Sequence, residues 1–246
     1  MLKKILFALI AVAMMASAAS AQKTLVIAHD ATWPPMEFVD ENKEIVGYSV
    51  DLIHYIAKRA GYIPEHKSVA WDGIFAGLVG RKYDVISSSV SITPERKKKF
   101  DFSEPYFEVK QAVVLPMDAT ETSLEQLTGK TLGGQLGTTG VFVAKRQDGL
   151  KTKEYDEIGF AIEALNTNRI DGVICDDAIA ADYALRNKKY AGKFKIAFIV
   201  SSDKAEYYGF VVKKGSPELI KMLNEGIAAA KADGTMAKLM KKWLGQ

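Results

Sequence analysis

From Thr24 onward the chain alternates short apolar runs with stretches whose apolar residues recur at helical spacing. Residues 24–28 and 85–88 read as strands and 50–60 and 74–79 as helices, and strands joined through helices in this way pair in parallel. Val113, Val114 and Leu115 close this first half. A second half repeats the grammar, with strands at 131–134 and 172–174 and helices near 139–147 and 161–167. The segments 108–114 and 205–212 are extended in character and rich in Val, Phe or Tyr, so that side by side they would link two lobes as a pair of strands. Residues 217–244 carry Ile220, Leu223, Ile227, Met236, Leu239, Met240 and Trp243 at roughly helical spacing, broken at Gly234. That stripe predicts helices packing back on the first lobe.

Residues 1–21 stand apart. Lys3 and Lys4, an apolar run over 5–13 and the small-residue end Ala19-Ser20-Ala21 have the layout of a secretory signal peptide, with cleavage expected before Gln22 and a bacterial periplasm as the destination. The apolar run is shorter than the roughly 20 residues a spanning helix needs. Without Lys3 and Lys4 the basic residues number 31 against 30 acidic ones, a balance that argues against nucleic acid as a partner. Cys175 is the only cysteine, so no disulfide forms within the chain, and it reads as a buried strand residue. A nucleophilic role would need a histidine beside it, and His29, His54 and His66 all lie in the other half. About 225 residues remain after cleavage, enough for one large domain or two small ones, each with its own core.

The segment 84–96 runs from an apolar strand through Ser87, Ser88, Ser89 and Ser91 to Thr93, Pro94 and Arg96. Thr93 is suited to cap a helix whose first residue is Pro94, which puts Arg96 in the first turn. Hydroxyls at a strand end accept from an ammonium, and a guanidinium grips a carboxylate through two parallel hydrogen bonds. A Ser-rich turn with a capped surface helix accounts for the segment equally well when it is taken alone. Lys97, Lys98 and Lys99 read as a solvated helix face.

Asp30 and Trp33 follow the first strand, and Pro34-Pro35 forbids a helix there, so both are held at the mouth of a sheet. Trp71 stands between elements, before Asp72-Gly73; for either tryptophan core packing is the competing reading. The turn Gly133-Gly134-Gln135-Leu136-Gly137-Thr138-Thr139-Gly140 joins a strand to a helix, where free amides favour an anion. Its glycine spacing suits neither a Walker loop nor a dinucleotide fingerprint, and a small carboxylate fits better, although a simple tight turn also fits. Asp176 and Asp177 end a strand; one of the two is a natural cap for the helix that follows and the other is free to meet an ammonium.

In combination, Val46-Gly47-Tyr48-Ser49-Val50-Asp51-Leu52, Trp71-Asp72-Gly73, Ser91-Ile92-Thr93-Pro94-Glu95-Arg96, Asp101-Phe102-Ser103-Glu104-Pro105-Tyr106 and Gln135-Leu136-Gly137-Thr138-Thr139 resemble the bacterial extracellular solute-binding family 3, the amino-acid receptors of ATP-driven importers. The resemblance implies an α/β, two-lobed periplasmic-binding-protein fold of type II, each lobe a mixed sheet flanked by helices. Lobe 1 is expected over 22–109 and 208–246 and lobe 2 over 110–207, with hinge segments near 108–114 and 201–208. It implies that Arg96 binds the ligand carboxylate, helped by the amides of Ser91, Thr138 and Thr139, and that Asp176 with Ser89 takes the ammonium. Asp30, Trp33, Trp71 and Ser88 are the implied pocket walls, with Gln135 in the Gly-rich turn. Gly140 stands where some relatives carry glutamine, which leaves side-chain specificity open.

An aspartate and two indoles attract a cationic side chain, so arginine or lysine is favoured, then glutamine, histidine or another polar amino acid. No cofactor is implied; the expected partners are a free amino acid and an inner-membrane ABC permease, with the protein a monomer. The competing expectation is an enzyme resembling cyclohexadienyl dehydratase on the same fold. That enzyme needs a general acid, and the sequence offers no cleft carboxylate that the receptor leaves unexplained.

Overall fold

A computed structural model describes residues 23–245. The expected leader lies outside the described residues.

The first half opens with β1 (Thr24–His29), whose Leu25, Ile27 and Ala28 are buried. Three short strands, β2 (Thr32–Trp33), β3 (Glu37–Val39) and β4 (Ile45–Val46), form a small antiparallel sheet before helix α1 (Tyr48–Arg59). Then come β5 (Ile63–Ser68), α2 (Ile74–Val79), β6 (Val85–Ile86), α3 (Pro94–Lys99) and β7 (Phe100–Phe102). Strand β8 (Phe107–Val109) leads into the second half, which contains β9 (Gln111–Pro116), β10 (Thr131–Gln135), α4 (Thr139–Arg146), β11 (Lys151–Tyr155), α5 (Ile158–Asn166), β12 (Gly172–Asp176), α6 (Asp177–Ala181) and β13 (Phe194–Ile199). Strand β14 (Glu206–Tyr208) returns the chain to β15 (Val211–Lys213), and α7 (Pro217–Ala232) and α8 (Thr235–Leu244) end it.

Two five-stranded mixed sheets result, ordered β5-β1-β6-β15-β7 and β11-β10-β12-β9-β13. In each the helix-linked strands are parallel: β1 pairs with β5 and β6, and β10 with β11 and β12. The returning strands β15 and β9 pair antiparallel. Between the sheets β8 and β14 run antiparallel, with Glu206 opposite Val109 and Tyr208 opposite Phe107. The two extended segments read from the sequence therefore do lie side by side.

Strands β5 and β11 carry little apolar signal because they are sheet edges. IPEHKS and KTKEY pair on one side only and contain no fully buried residue, so burial never selected an apolar pattern there. His66 on β5 joins the other two histidines in a row: His29 Nε2 meets His66 Nδ1 at 2.9 Å and His66 Nε2 meets His54 Nδ1 at 3.1 Å. Burial pushes His29 down to about 3 and His66 down to about 4, which keeps both neutral near pH 7.

The C-terminal stripe packs as its spacing predicts. Gly234, at φ 77°, takes the left-handed conformation that separates α7 from α8. Leu223 and Ile227 of α7 are buried in one cluster with Leu52, Ile53 and Ile56 of α1, and α8 is tied to α1 through Asp51, which accepts from Lys242 Nζ and Trp243 Nε1 at 2.7 Å each. Helix α7 approaches α1 tightly at Gly226, where an added Cβ would lie 2.5 Å from Ile56 Cγ2. Gly226→Val is therefore expected to cost about 2 kcal/mol by overpacking and to lower the melting temperature by about 4–8 °C, measured by thermal unfolding. An unchanged melt would mean that this contact yields freely.

Candidate functional site

The polar ends of four parallel-sheet strands converge between the two sheets. Asp30 follows β1, Ser88, Ser89 and Ser91 follow β6, Gln135 ends β10 and Asp176 ends β12. Such carboxyl ends are where open α/β sheets bind ligands.

On the first side, Ser88 Oγ accepts from the Asp30 amide at 2.9 Å, and Ser89 turns the chain at φ 46°. Thr93 caps α3 by accepting from the Arg96 amide at 3.2 Å, with Pro94 in the first turn. The Arg96 side chain runs back to the cleft. Its Nη1 donates to the Ser91 carbonyl at 2.9 Å and its Nη2 to the Gly137 carbonyl, on the opposite side, at 3.1 Å. Its Cζ lies 5.6 Å from the ring centroids of both Trp71 and Phe75. Burial pulls its pKa down from the usual arginine range, while Glu206 and Asp176 pull it up.

On the second side, Gln135 Nε2 donates to Asp30 Oδ2 at 2.6 Å across the cleft and to the Asp156 carbonyl at 2.9 Å. Trp71 Nε1 crosses in the other direction to the Leu136 carbonyl at 2.9 Å. Thr138 and Thr139 open α4, whose first-turn amides have no helical acceptor. Asp177 takes the local backbone role, accepting from the amides of Ala178 at 3.0 Å and Lys110 at 3.3 Å. Asp176 is left to the cleft, where Oδ1 accepts from Gln111 Nε2 at 2.6 Å and Oδ2 from the Tyr208 hydroxyl.

A small cleft lies between these walls, with about 320 Å³ of space unfilled by protein atoms when the open solvent at its mouth is included. It is lined by Asp30, Trp33, Trp71, Ser88, Ser89, Ser91, Arg96, Gln135, Thr138, Thr139 and Asp176, so the structure brings together the residues expected to meet the ligand. Trp33 is buried, with its indole Nε1 lacking a partner within the protein. Among the described residues no group of three or more His, Cys, Asp or Glu is arranged to hold a metal ion.

Two carboxyl groups that the sequence did not single out stand behind the cavity wall. Glu206 on β14 accepts from Thr139 Oγ1 at 2.5 Å and from Gln111 Nε2 at 3.3 Å. Glu37 on β3 is fully buried behind the cleft, where its Oε2 accepts from Ser89 Oγ at 3.1 Å and its Oε1 has no partner within the protein. Burial raises the pKa of Glu37 well above the carboxylate range, raises that of Asp30, and, with Glu206 adding repulsion, pushes Asp176 up to about 7. Phe75, Gln111 and Tyr208 were also missed. Gly140 makes room for one of them, since a Cβ there would sit 2.5 Å from Gln111 Oε1.

Residues 25–246 match the profile of the bacterial extracellular solute-binding proteins, family 3. The ABC transporter arginine-binding protein 1 of Escherichia coli is 33% identical over 93% of this chain and 93% of its own. A probable histidine-binding protein of Neisseria gonorrhoeae is 30% identical over 94% of this chain and 87% of its own. An ancestral arginine-binding protein solved with arginine bound is 39% identical and superimposes with a TM-score of 0.83 over 89% of this chain and 97% of that one. An ancestral arginine-binding protein bound to glutamine gives the same identity and TM-score, over 91% of this chain and 98% of that one. With the fold, the cleft and these likenesses in agreement, the chain belongs to the bacterial extracellular solute-binding proteins of family 3.

Proposed function

We propose that this protein captures a free L-amino acid of net positive charge, arginine or lysine first, and delivers it in the periplasm to an ABC permease. The observation that carries the ligand class is the charge inventory of the cleft. Among the described residues Arg96 is the one basic side chain lining the cavity, while Asp30 and Asp176 line it and Glu206 and Glu37 stand behind. A zwitterionic head group neutralises one pair, and the surplus carboxyl groups are best matched by a second cation.

In this reading the ligand carboxylate takes Arg96 and the amides of Ser91, Thr138 and Thr139, and the ammonium takes Asp176 and Ser89. The side chain extends between Trp33 and Trp71 towards Asp30, Ser88 and Gln135. The lobes comprise 22–109 with 208–246 and 110–207, hinged near 108–114 and 201–208 and acting as a monomer. Closure is useful to a permease only if the ligand binds the closed form more tightly than the open one, because equal affinity for both shifts nothing. The cross-cleft bonds of Arg96, Trp71 and Gln135 support such a closed form.

A second reading, an enzyme resembling cyclohexadienyl dehydratase, gains support from one observation. A carboxyl held up to about 7, as at Asp176, suits a general acid that protonates a leaving hydroxyl while prephenate loses carbon dioxide and water. The receptor reading is stronger because it uses the whole lining set. Phenylpyruvate release from prephenate above a blank would reverse that order.

Two outcomes are expected. After unfolding and refolding to remove co-purified ligand, arginine or lysine at about a hundred times its dissociation constant should raise the melting temperature by roughly 5–10 °C, while glutamate should not. A shift with a neutral amino acid alone would retain the receptor and overturn the cationic specificity. Arg96→Ala should weaken binding by about 2–5 kcal/mol in calorimetry, because the ligand carboxylate would be desolvated without a partner. Affinity within a few-fold of wild type would remove Arg96 from the site.

A further inference from the structure

Glu206 does not line the cavity, yet it is wired to it. It accepts from the cavity-lining Thr139 Oγ1 at 2.5 Å and from Gln111 Nε2 at 3.3 Å. The same Gln111 Nε2 lies 2.6 Å from Asp176 Oδ1 and 3.1 Å from Thr139 Oγ1. An amide nitrogen has two hydrogens, and this one faces three acceptors, so one is always left short. Gln111 Oε1, on the other side of the same amide, is buried without a partner within the protein. Two carboxyl groups thus share one donor where the backbone crosses between the sheets.

We propose that Glu206 is the positioning residue of the ammonium subsite: it fixes Thr139 in the cleft wall and keeps a proton on Asp176 that an arriving ligand ammonium displaces. The inference rests on the receptor reading above. In the displacement the Asp176 O–H bond breaks, the electron pair stays on the carboxylate, the proton leaves to the solvent buffer and the ammonium takes its place. Nothing is oxidised or reduced.

The surroundings of Asp176 fit this role from every side. Strand β14 presents Glu206 and the Tyr208 hydroxyl, and α6 presents Asp177. Glu37 acts on it from β3, the neighbouring Cys175 from its own strand and Arg96 from α3. Arg96, the one cation in this set, is committed to two carbonyls. Burial and then Glu206 are the largest influences raising Asp176 to about 7, and Tyr208 and Gln111 pull the other way. A ligand ammonium adds the missing positive charge, lowers the Asp176 pKa and ionises it. Binding should therefore strengthen as pH rises through 7 and weaken below it.

The test is calorimetric titration of L-arginine into the refolded full chain at about pH 6 and about pH 8, in buffers of differing ionisation enthalpy. Wild type should bind about tenfold more weakly at the lower pH and release close to one proton per ligand there. Glu206→Gln should shrink that change to less than about threefold, while Glu206→Asp, which keeps the charge, should restore it. Glu206 is only half-buried, and a thermal melt of each variant checks its fold. Arginine binding that is independent of pH in wild type, or an unaltered pH profile in Glu206→Gln, overturns the proposal and leaves the receptor standing. Failure of any amino acid to bind at either pH overturns the receptor reading and this inference with it.

Discussion

A half-buried guanidinium is the constraint on which the rest of this structure turns. Arg96 is partly withdrawn from water, and a desolvated charge is tolerated only when it is paired or well hydrogen-bonded. It meets that condition with one carbonyl from each side of the cleft, Ser91 and Gly137, and with two aromatic faces. Its position is set locally, by Thr93 and Pro94 starting a six-residue helix immediately after the serine-lined strand end. The same residue therefore spans the cleft and supplies the one cation among the cavity walls.

The carboxyl groups follow from that arrangement. Four of them stand in or behind the cleft that holds this guanidinium, and burial raises the pKa values of Asp30, Glu37 and Asp176. In the receptor reading proposed above, such a cleft is completed by a cation. The crossing strands matter for the same reason: β14 carries Glu206 and Tyr208 into the Asp176 cluster, so the backbone that joins the sheets also carries the electrostatics of the site.

Much of this was legible in the sequence because the key residues sit immediately beyond apolar strands. Asp30 follows β1, the serines follow β6 and Asp176 ends β12, and a strand signal predicts where its own end will point. The residues alone left Asp176 and Asp177 open and the resemblance pointed to Asp176; in the structure it is Asp177 that takes the Lys110 amide, which only tertiary structure delivers. Glu206, Gln111 and Glu37 were missed for a related reason. Gln111 and Glu206 reach the site through strand pairing across a long stretch of sequence, as when Gln111 falls opposite Asp176 in the antiparallel ladder between β9 and β12, and Glu37 meets it through the hydroxyl of the distant Ser89. Gly140, which read as an unexplained departure, is explained once Gln111 occupies the space its side chain would have needed.

The central claim is that charge, rather than shape, selects the ligand. Arginine and citrulline are nearly isosteric and differ by one positive charge, so comparing their affinities by calorimetric titration isolates that claim. The account predicts that arginine binds at least tenfold more tightly, equivalent to about 1.4 kcal/mol or more. Equal or tighter binding of citrulline would contradict it.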